Sequence, residues 1–177
     1  GDKTVLYSRK KTTESWNELS WNDFEKQVFV AAKAIYELGI SEHQRVGQFS
    51  QNMAENLIVD FALFANRAVM VPFYATSSVL QVEFIVNDAQ IEVLFVGEQL
   101  QYDIAMEVMS NTDVLKKIIV FDENVNLNGD VNSMYFKDFV SMGAKSTKHF
   151  EVVTRQDEAT ENDLACILYT SGTTGNP

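Results

Sequence analysis

Five short strand candidates, at 45–50, 69–74, 92–96, 117–121 and 165–169, all but the first mostly apolar, are separated by stretches long enough to hold a helix. This alternation constrains the fold more than any other feature. Runs of four to six residues that are apolar at consecutive positions, rather than at every second one, suit strands covered on both faces. Connections of this length suit crossovers between parallel strands, whereas a hairpin needs only a few residues. The predicted class is therefore α/β: a doubly wound, mainly parallel sheet with helices on both faces.

Between the runs, apolar residues recur at helical spacing. Phe24, Val28, Ala31, Ile35 and Leu38 make one stripe over 21–38. Ser20 and Asp23 suit its start and Gly39 its end. Asn52 and Glu55 offer a capping pair for a second helix, with Leu57, Phe61, Phe64 and Ala68 on its inward face. Ser77 and Ser78 can cap a third, with Val82, Ile85, Val86 and Ala89 inward. A fourth, over 100–109, puts Leu100, Ile104 and Val108 in phase. The strand at 69–74 should end near Pro72. Residues 122–132, with four asparagines and a glycine, read as a surface loop. A short helix over 136–142 is expected to stop at Gly143, and 144–163 shows little periodicity. No internal repeat is visible.

Composition narrows the function classes. Fourteen Lys and Arg against 25 Asp and Glu give a formal net charge of −11. That balance opposes general nucleic-acid binding and simple attachment to anionic lipid. The single cysteine, Cys166, excludes an intrachain disulfide scaffold. Within Leu164-Ala165-Cys166-Ile167-Leu168 it reads as a small buried residue rather than a nucleophile. No window approaches the ~18–20 apolar residues of a membrane span. No secretory signal is visible in a chain that opens Gly1-Asp2, and a cytoplasmic location is expected, with peripheral membrane association left open. His43 and His149 lack a partner at ligand spacing, so no metal site is expected. Trp16 and Trp21 suit packing around a helix start. The pairs Asp122-Glu123 and Asp157-Glu158 read as solvated charges.

One segment carries chemistry: Tyr169-Thr170-Ser171-Gly172-Thr173-Thr174-Gly175-Asn176-Pro177. It follows an apolar run taken to be a buried strand, and open α/β sheets bind ligands beyond the carboxyl ends of their strands. Gly172 and Gly175 let backbone N–H groups approach an anion. Thr170, Ser171, Thr173 and Thr174 add hydroxyls, and no carboxylate interrupts the run from Leu164 onward. The composition suits a triphosphate cradle, without the Gly-Lys-Ser/Thr ending of the P-loop NTPases. By composition alone a flexible Ser/Thr/Gly linker accounts for it equally well.

The order of these residues resembles the signature loop of the AMP-forming adenylate enzymes, which include acyl-CoA synthetases, peptide-synthetase adenylation domains and beetle luciferases. In the family pattern a lysine follows the proline; here the sequence ends at Pro177. The segment 52–68 followed by Val69-Met70-Val71-Pro72 looks like the family's early helix and strand. A small residue, often glycine, precedes that strand in most members, where this chain has Arg67-Ala68. The stretches 73–78, 84–88 and 94–103 are similar to the long-chain fatty-acid group.

The resemblance implies a two-step activation of a long-chain fatty acid, through acyl-AMP to acyl-CoA, using ATP, Mg²⁺ and coenzyme A as co-substrate. It implies that Thr170, Ser171, Gly172, Thr173, Thr174 and Gly175 hold the β- and γ-phosphates, and that no residue here is a nucleophile. Residues 1–177 would then be a partial N-terminal subdomain of an AMP-binding domain, truncated at the phosphate-binding loop and inactive alone, with the catalytic and adenine-binding residues downstream. Two alternatives stay open: adenylation of an amino acid or aromatic acid, and a non-catalytic phosphate-binding fragment.

Overall fold

A computed structural model describes residues 1–9 and 15–170. An antiparallel ribbon of β1 (Thr4–Arg9) and β2 (Trp16–Ser20) leads into a sheet of β3 (Arg45–Phe49), β4 (Val69–Phe73), β5 (Val93–Val96), β6 (Lys117–Val120) and β7 (Ser133–Tyr135). The sheet order is β4-β3-β5-β6-β7, and every neighbouring pair is parallel. The helices are α1 (Trp21–Glu37), α2 (Ala54–Ala65), α3 (Val79–Ala89), α4 (Gln99–Asn111), α5 (Phe136–Lys145) and α6 (His149–Asp157).

Strand residues alternate between two cores. Val93, Phe95 and Ile119 meet Ile35, Ala62, Phe139 and Val152, which belong to α1, α2, α5 and α6. Leu94, Val96 and Ile118 meet Val86 and Ala105, which belong to α3 and α4. The period-two pleat thus supplies both layers of a doubly wound α/β fold, as the unbroken apolar runs predict. The chain moves outward from β3 to β4, then back across β3 to β5 and onward to β6 and β7. Its direction of travel reverses between β3 and β5, which makes their carboxyl ends the switch-point crevice.

Several elements follow the sequence closely. At the start of α1 the Ser20 hydroxyl oxygen accepts from the Asp23 N–H at 3.2 Å, and Gly39 follows its end at φ +77°. Ser78 and Gln81 form a reciprocal capping box on α3, and Val82, Ile85, Val86 and Ala89 are all buried. The loop over 122–132 is irregular, but it is pinned. Tyr102 donates its phenol to Leu127 O and Tyr135 to Val125 O.

Other expectations need correction. The N-cap of α2 is Met53, which makes no side-chain bond, so Asn52 and Glu55 do not cap it. Its inward residues are Ile58, Val59, Ala62 and Leu63, while Leu57 and Phe61 are 40% and 48% exposed. The helix is apolar nearly all round, so periodicity does not select the inward face. In α4, Leu100 is exposed and Gln101, Tyr102, Ala105 and Val108 face inward. Gly143 does not stop α5; it lies inside the helix against α1, where a Cβ would fall 2.1 Å from Val30 O and 3.0 Å from the Ala34 Cβ. α6 arises within the aperiodic 144–163 stretch. Trp16 and Trp21 are both exposed, though Trp21 meets Phe24 edge-on at 6.1 Å.

The largest correction concerns 165–169. A buried strand was expected; instead only Cys166 bridges to Met70, parallel, on the outer side of β4. Leu164 and Leu168 are 53% and 67% exposed, and Cys166 is half-buried. No other described strand pairs with its outer edge. An apolar run is buried only if something covers it, and at a sheet edge the neighbours are halved. No helix among the described residues is long and apolar enough to cross a membrane.

Candidate functional site

Two groups of residues stand out, one at the carboxyl edge of the sheet and one along its outer strand β4. The first occupies the switch point. The Gly97 N–H, just past β5, donates to Phe49 O at 3.0 Å. A Cβ on Gly97 would fall 2.7 Å from Gln51 Oε1 and 2.8 Å from the Ser50 Cβ, so only glycine lets the two strand ends approach this closely. Around them, Ser50 Oγ donates to Asn56 Oδ1 at 2.8 Å, Asn56 Nδ2 to Gln51 O at 3.1 Å, and Gln48 Nε2 to Asn56 O at 3.2 Å. One turn along α2 from Asn56 lies Asp60, on the same side of the helix. Burial pushes its carboxyl up to about 6, against the opposing pull of a hydrogen bond with Gln48. Gln51 Oε1 and Asp60 Oδ1 are buried without a hydrogen-bond partner. Such orphaned acceptors are uncommon and tend to mark strain or a site of function.

The second group is the 163–170 segment, which carries the chain along β4 towards the expected phosphate cradle. Met70 N–H donates to Ala165 O and Ile167 N–H to Met70 O, each at 3.0 Å. Upstream, Asp163 accepts from Arg67 Nε at 2.6 Å and from Nη2 at 3.3 Å, a fork-to-carboxylate pair. That pairing, with a hydrogen bond from Thr160, holds the Asp163 carboxyl well down, at about 2. Downstream, Tyr169 donates its phenol to Asp88 Oδ2, and its ring meets Phe84 edge-on at 6.3 Å. Burial and the Asp88 charge push the phenol up to about 12. The segment and the switch point are separated by β4 and β3, roughly 10–12 Å at two to two and a half strand spacings.

Of the residues expected to cradle phosphates, Thr170 is exposed at the end of this segment. Ser171, Gly172, Thr173, Thr174 and Gly175 lie outside the described residues. No group of three or more His, Cys, Asp or Glu suited to a metal ion occurs among the described residues. His149 lies instead against the Phe29 ring at 4.9 Å. The polar residues at the switch point were not singled out from the sequence. The signal available was Asp60 itself, the one acid inside the apolar stretch Leu57-Ile58-Val59-Asp60-Phe61-Ala62-Leu63. The Arg67–Asp163 pair, 96 positions apart, leaves no local signal at all.

Comparison with known proteins agrees with this geometry. Residues 1–177 match the family of AMP-binding enzymes. A fatty acyl-CoA synthetase B from Dictyostelium discoideum is 30% identical over 100% of this chain and 27% of its own length. Long-chain-fatty-acid–CoA ligase 1 of Cavia porcellus is 31% identical over 95% of the chain and 25% of its own length. The ligase FadD15 of Mycobacterium bovis, also named as long-chain, is 29% identical over 92% and 26%. The chain thus spans about a quarter of the length of these relatives. Among solved structures, the long-chain-fatty-acid–CoA ligase FadD1 from Archaeoglobus fulgidus superimposes with a TM-score of 0.74 at 22% identity, over 97% of this chain and 32% of that one. The anthranilate–CoA ligase AuaEII, in complex with anthranoyl-AMP, gives 0.64 at 20% identity, over 71% and 23%. At these identities the structural likeness establishes the fold. With the family match extending over every residue, and the parallel sheet shared with acyl–CoA ligases, the chain belongs to the AMP-binding enzyme family.

Proposed function

We propose that the chain is the N-terminal part of an ATP-dependent long-chain fatty-acid–CoA ligase. The observation that carries this reading is the sequence of the run from Tyr169 to Pro177, which follows a segment bridged in parallel to the edge strand β4, in a chain whose relatives are named as fatty acyl–CoA ligases. In the first step a carboxylate oxygen of the fatty acid bonds to the α-phosphorus of ATP, the α–β phosphoanhydride bond breaks, and pyrophosphate leaves. In the second, the sulfur of coenzyme A bonds to the acyl carbon and AMP leaves with the electron pair of the broken C–O bond. Charge builds on the phosphates in the first step, so positioned donors are the device required.

In this reading Thr170, Ser171, Gly172, Thr173, Thr174 and Gly175 supply hydroxyl and backbone N–H donors to the β- and γ-phosphates. Mg²⁺ enters with ATP as the substrate's counter-ion. The remaining groups of both half-reactions come from the rest of the longer protein, so residues 1–177 alone are inactive.

The test is ATP–pyrophosphate exchange by the longer protein, with palmitate, acetate, anthranilate and amino acids as acid substrates. Each buried methylene contributes about 0.8 kcal/mol, so chains of about twelve carbons or more should be strongly preferred over acetate. A preference for an amino acid or anthranilate would overturn the substrate class, and exchange with no acid at all would overturn the activity. Thr173→Ala and Thr174→Ala each remove one hydroxyl donor to a charged group, worth about 1.5–3 kcal/mol. Each should slow exchange by about ten- to a hundredfold, with circular dichroism unchanged. Wild-type rates in both would leave the flexible-linker reading standing.

A further inference from the structure

The segment that ends at Thr170 is held to the sheet by little backbone. Its described ladder consists of the two hydrogen bonds to Met70. A slip of one residue would turn every side chain to the opposite face, and a slip of two would displace Thr170 by about 7 Å along the strand. Two main-chain bonds at a single bridge leave such slips weakly opposed, so the register needs another determinant.

Side chains supply it at the upstream end. Met70 pairs with Cys166, and Arg67 lies three residues before Met70 as Asp163 lies three before Cys166. The guanidinium fork on Asp163 therefore joins equivalent positions of the two parallel segments, and it does so with side chains only 14% and 18% exposed. Arg67 is itself over-determined. Its Nη1 donates to Glu42 Oε2 at 2.6 Å, Glu158 stands 3.7 Å away, and its backbone is left-handed at φ +55°. The backbone is also bonded at both ends, with the Arg67 N–H donating to Phe64 O at 2.9 Å and the Arg67 carbonyl accepting from the His43 N–H at 2.7 Å. A left-handed conformation that glycine or asparagine would adopt at less cost is here held by arginine. Asp163 is braced in turn, accepting from Thr160 Oγ1 at 3.0 Å. Nearby, Arg155 donates to Ile40 O at 2.9 Å and Asn66 Oδ1 at 3.1 Å, and stands 4.3 Å from the centre of the Tyr36 ring. The end of α6 and the turn after it are thereby tied to the same corner.

We propose that Arg67 and Asp163 are positioning residues: their fork sets the register of 164–170 against β4 and so the place from which Thr170 leads into the run that follows it. The consequence for catalysis rests on the ligase reading above. Neither residue touches the reacting atoms; each acts through the strand that leads to the phosphate-binding run. Lysine cannot reproduce a planar two-point contact, so Arg67→Lys should restore only part of what Arg67→Met removes.

The experiment has two arms. In this chain, hydrogen exchange followed by mass spectrometry compares wild type with Asp163→Asn, Arg67→Met and Arg67→Lys. Asp163→Asn and Arg67→Met should speed exchange in 164–170 at least tenfold, Arg67→Lys should fall between, and β3 and β5 should be unchanged. In the longer protein, the same variants should lower the kcat of ATP–pyrophosphate exchange about tenfold, with KM for the fatty acid unaltered. Wild-type protection of 164–170 in Asp163→Asn would overturn the proposal. So would equal loss of protection in 164–170, β3 and β5, which would make the pair a general stabiliser. If the wild-type longer protein exchanges with no carboxylic acid, the ligase reading fails, and the hydrogen-exchange arm still decides whether the fork sets the register.

Discussion

Asp60 is the residue where burial and charge conflict most openly. Its carboxyl sits beside the switch point, with one oxygen unpartnered and its proton held up to about 6 against an ordinary value of 3.8. A carboxyl raised on folding binds its proton more tightly in the folded chain than in the unfolded one. Its contribution to stability is therefore largest below about pH 4, is lost as the pH rises from about 4 to 6, and stays lost above that. A shift of this size corresponds to at most about 3 kcal/mol, and partial contact with solvent brings it to about 1 kcal/mol. Asp60→Asn should accordingly raise the free energy of unfolding by about 1 kcal/mol at pH 8 and leave it nearly unchanged at pH 4. Urea titration at the two pH values checks this. Equal effects at both would mean that the charge of Asp60 carries no penalty. Little of this conflict was legible beforehand: an acid in an apolar run signals an anomaly, but whether it points to solvent or into the protein depends on which face of α2 turns inward.

Among the elements, legibility depended on whether local signals chose one face. The inward face of α3 was legible because Ser78 marks its start and Val82, Ile85, Val86 and Ala89 recur at helical spacing, although Leu80 of the same helix is 79% exposed. α2 was placed but turned wrongly, since Leu57, Ile58, Val59, Phe61, Ala62, Leu63 and Phe64 leave hardly any polar side to orient it. α6 was missed because only Val152 of its nine residues is buried; tertiary contacts such as those of Arg155 anchor it instead. The misreading of Gly143 is the most instructive, because the two meanings of a helical glycine predict opposite signs. At a helix-interior position open to solvent, replacement by alanine would gain about 1 kcal/mol of helix propensity. In the folded chain the added methyl meets Val30 O at 2.1 Å and the backbone nitrogen of Ala34 at 3.0 Å, so α1 and α5 must separate. Gly143→Ala should therefore cost about 1–3 kcal/mol net, measured by denaturant unfolding. A stabilised variant would show that the helices separate without loss.

For the whole molecule, the doubly wound class was legible because β4, β5 and β6 are apolar at successive positions, whereas the strand order was not. Nothing local tells β5 to pair with β3 rather than with β4, because the choice is made by long-range packing of α3 and α4 on one face and α2 on the other. The same distinction between local and global governs the electrostatics. Individual ion pairs such as Lys137–Glu123 at 2.7 Å and Lys26–Asp23 at 3.6 Å are solvent-exposed, and such pairs contribute little. Against them stands a formal net charge of −11, whose self-repulsion is relieved when the chain unfolds and expands. Salt weakens both effects, since the screening length is about 10 Å at 0.1 M. The exposed pairs lose little because they contribute little, and the Arg67 network is sheltered by its burial. Relief of repulsion should therefore dominate. Raising NaCl from about 10 to 200 mM at pH 7.5 should raise Tm by a few degrees, read by differential scanning calorimetry on the isolated chain. The sign tests the balance directly: a fall in Tm would mean that attractive pairs, rather than the excess of carboxylates, set the electrostatic contribution to folding.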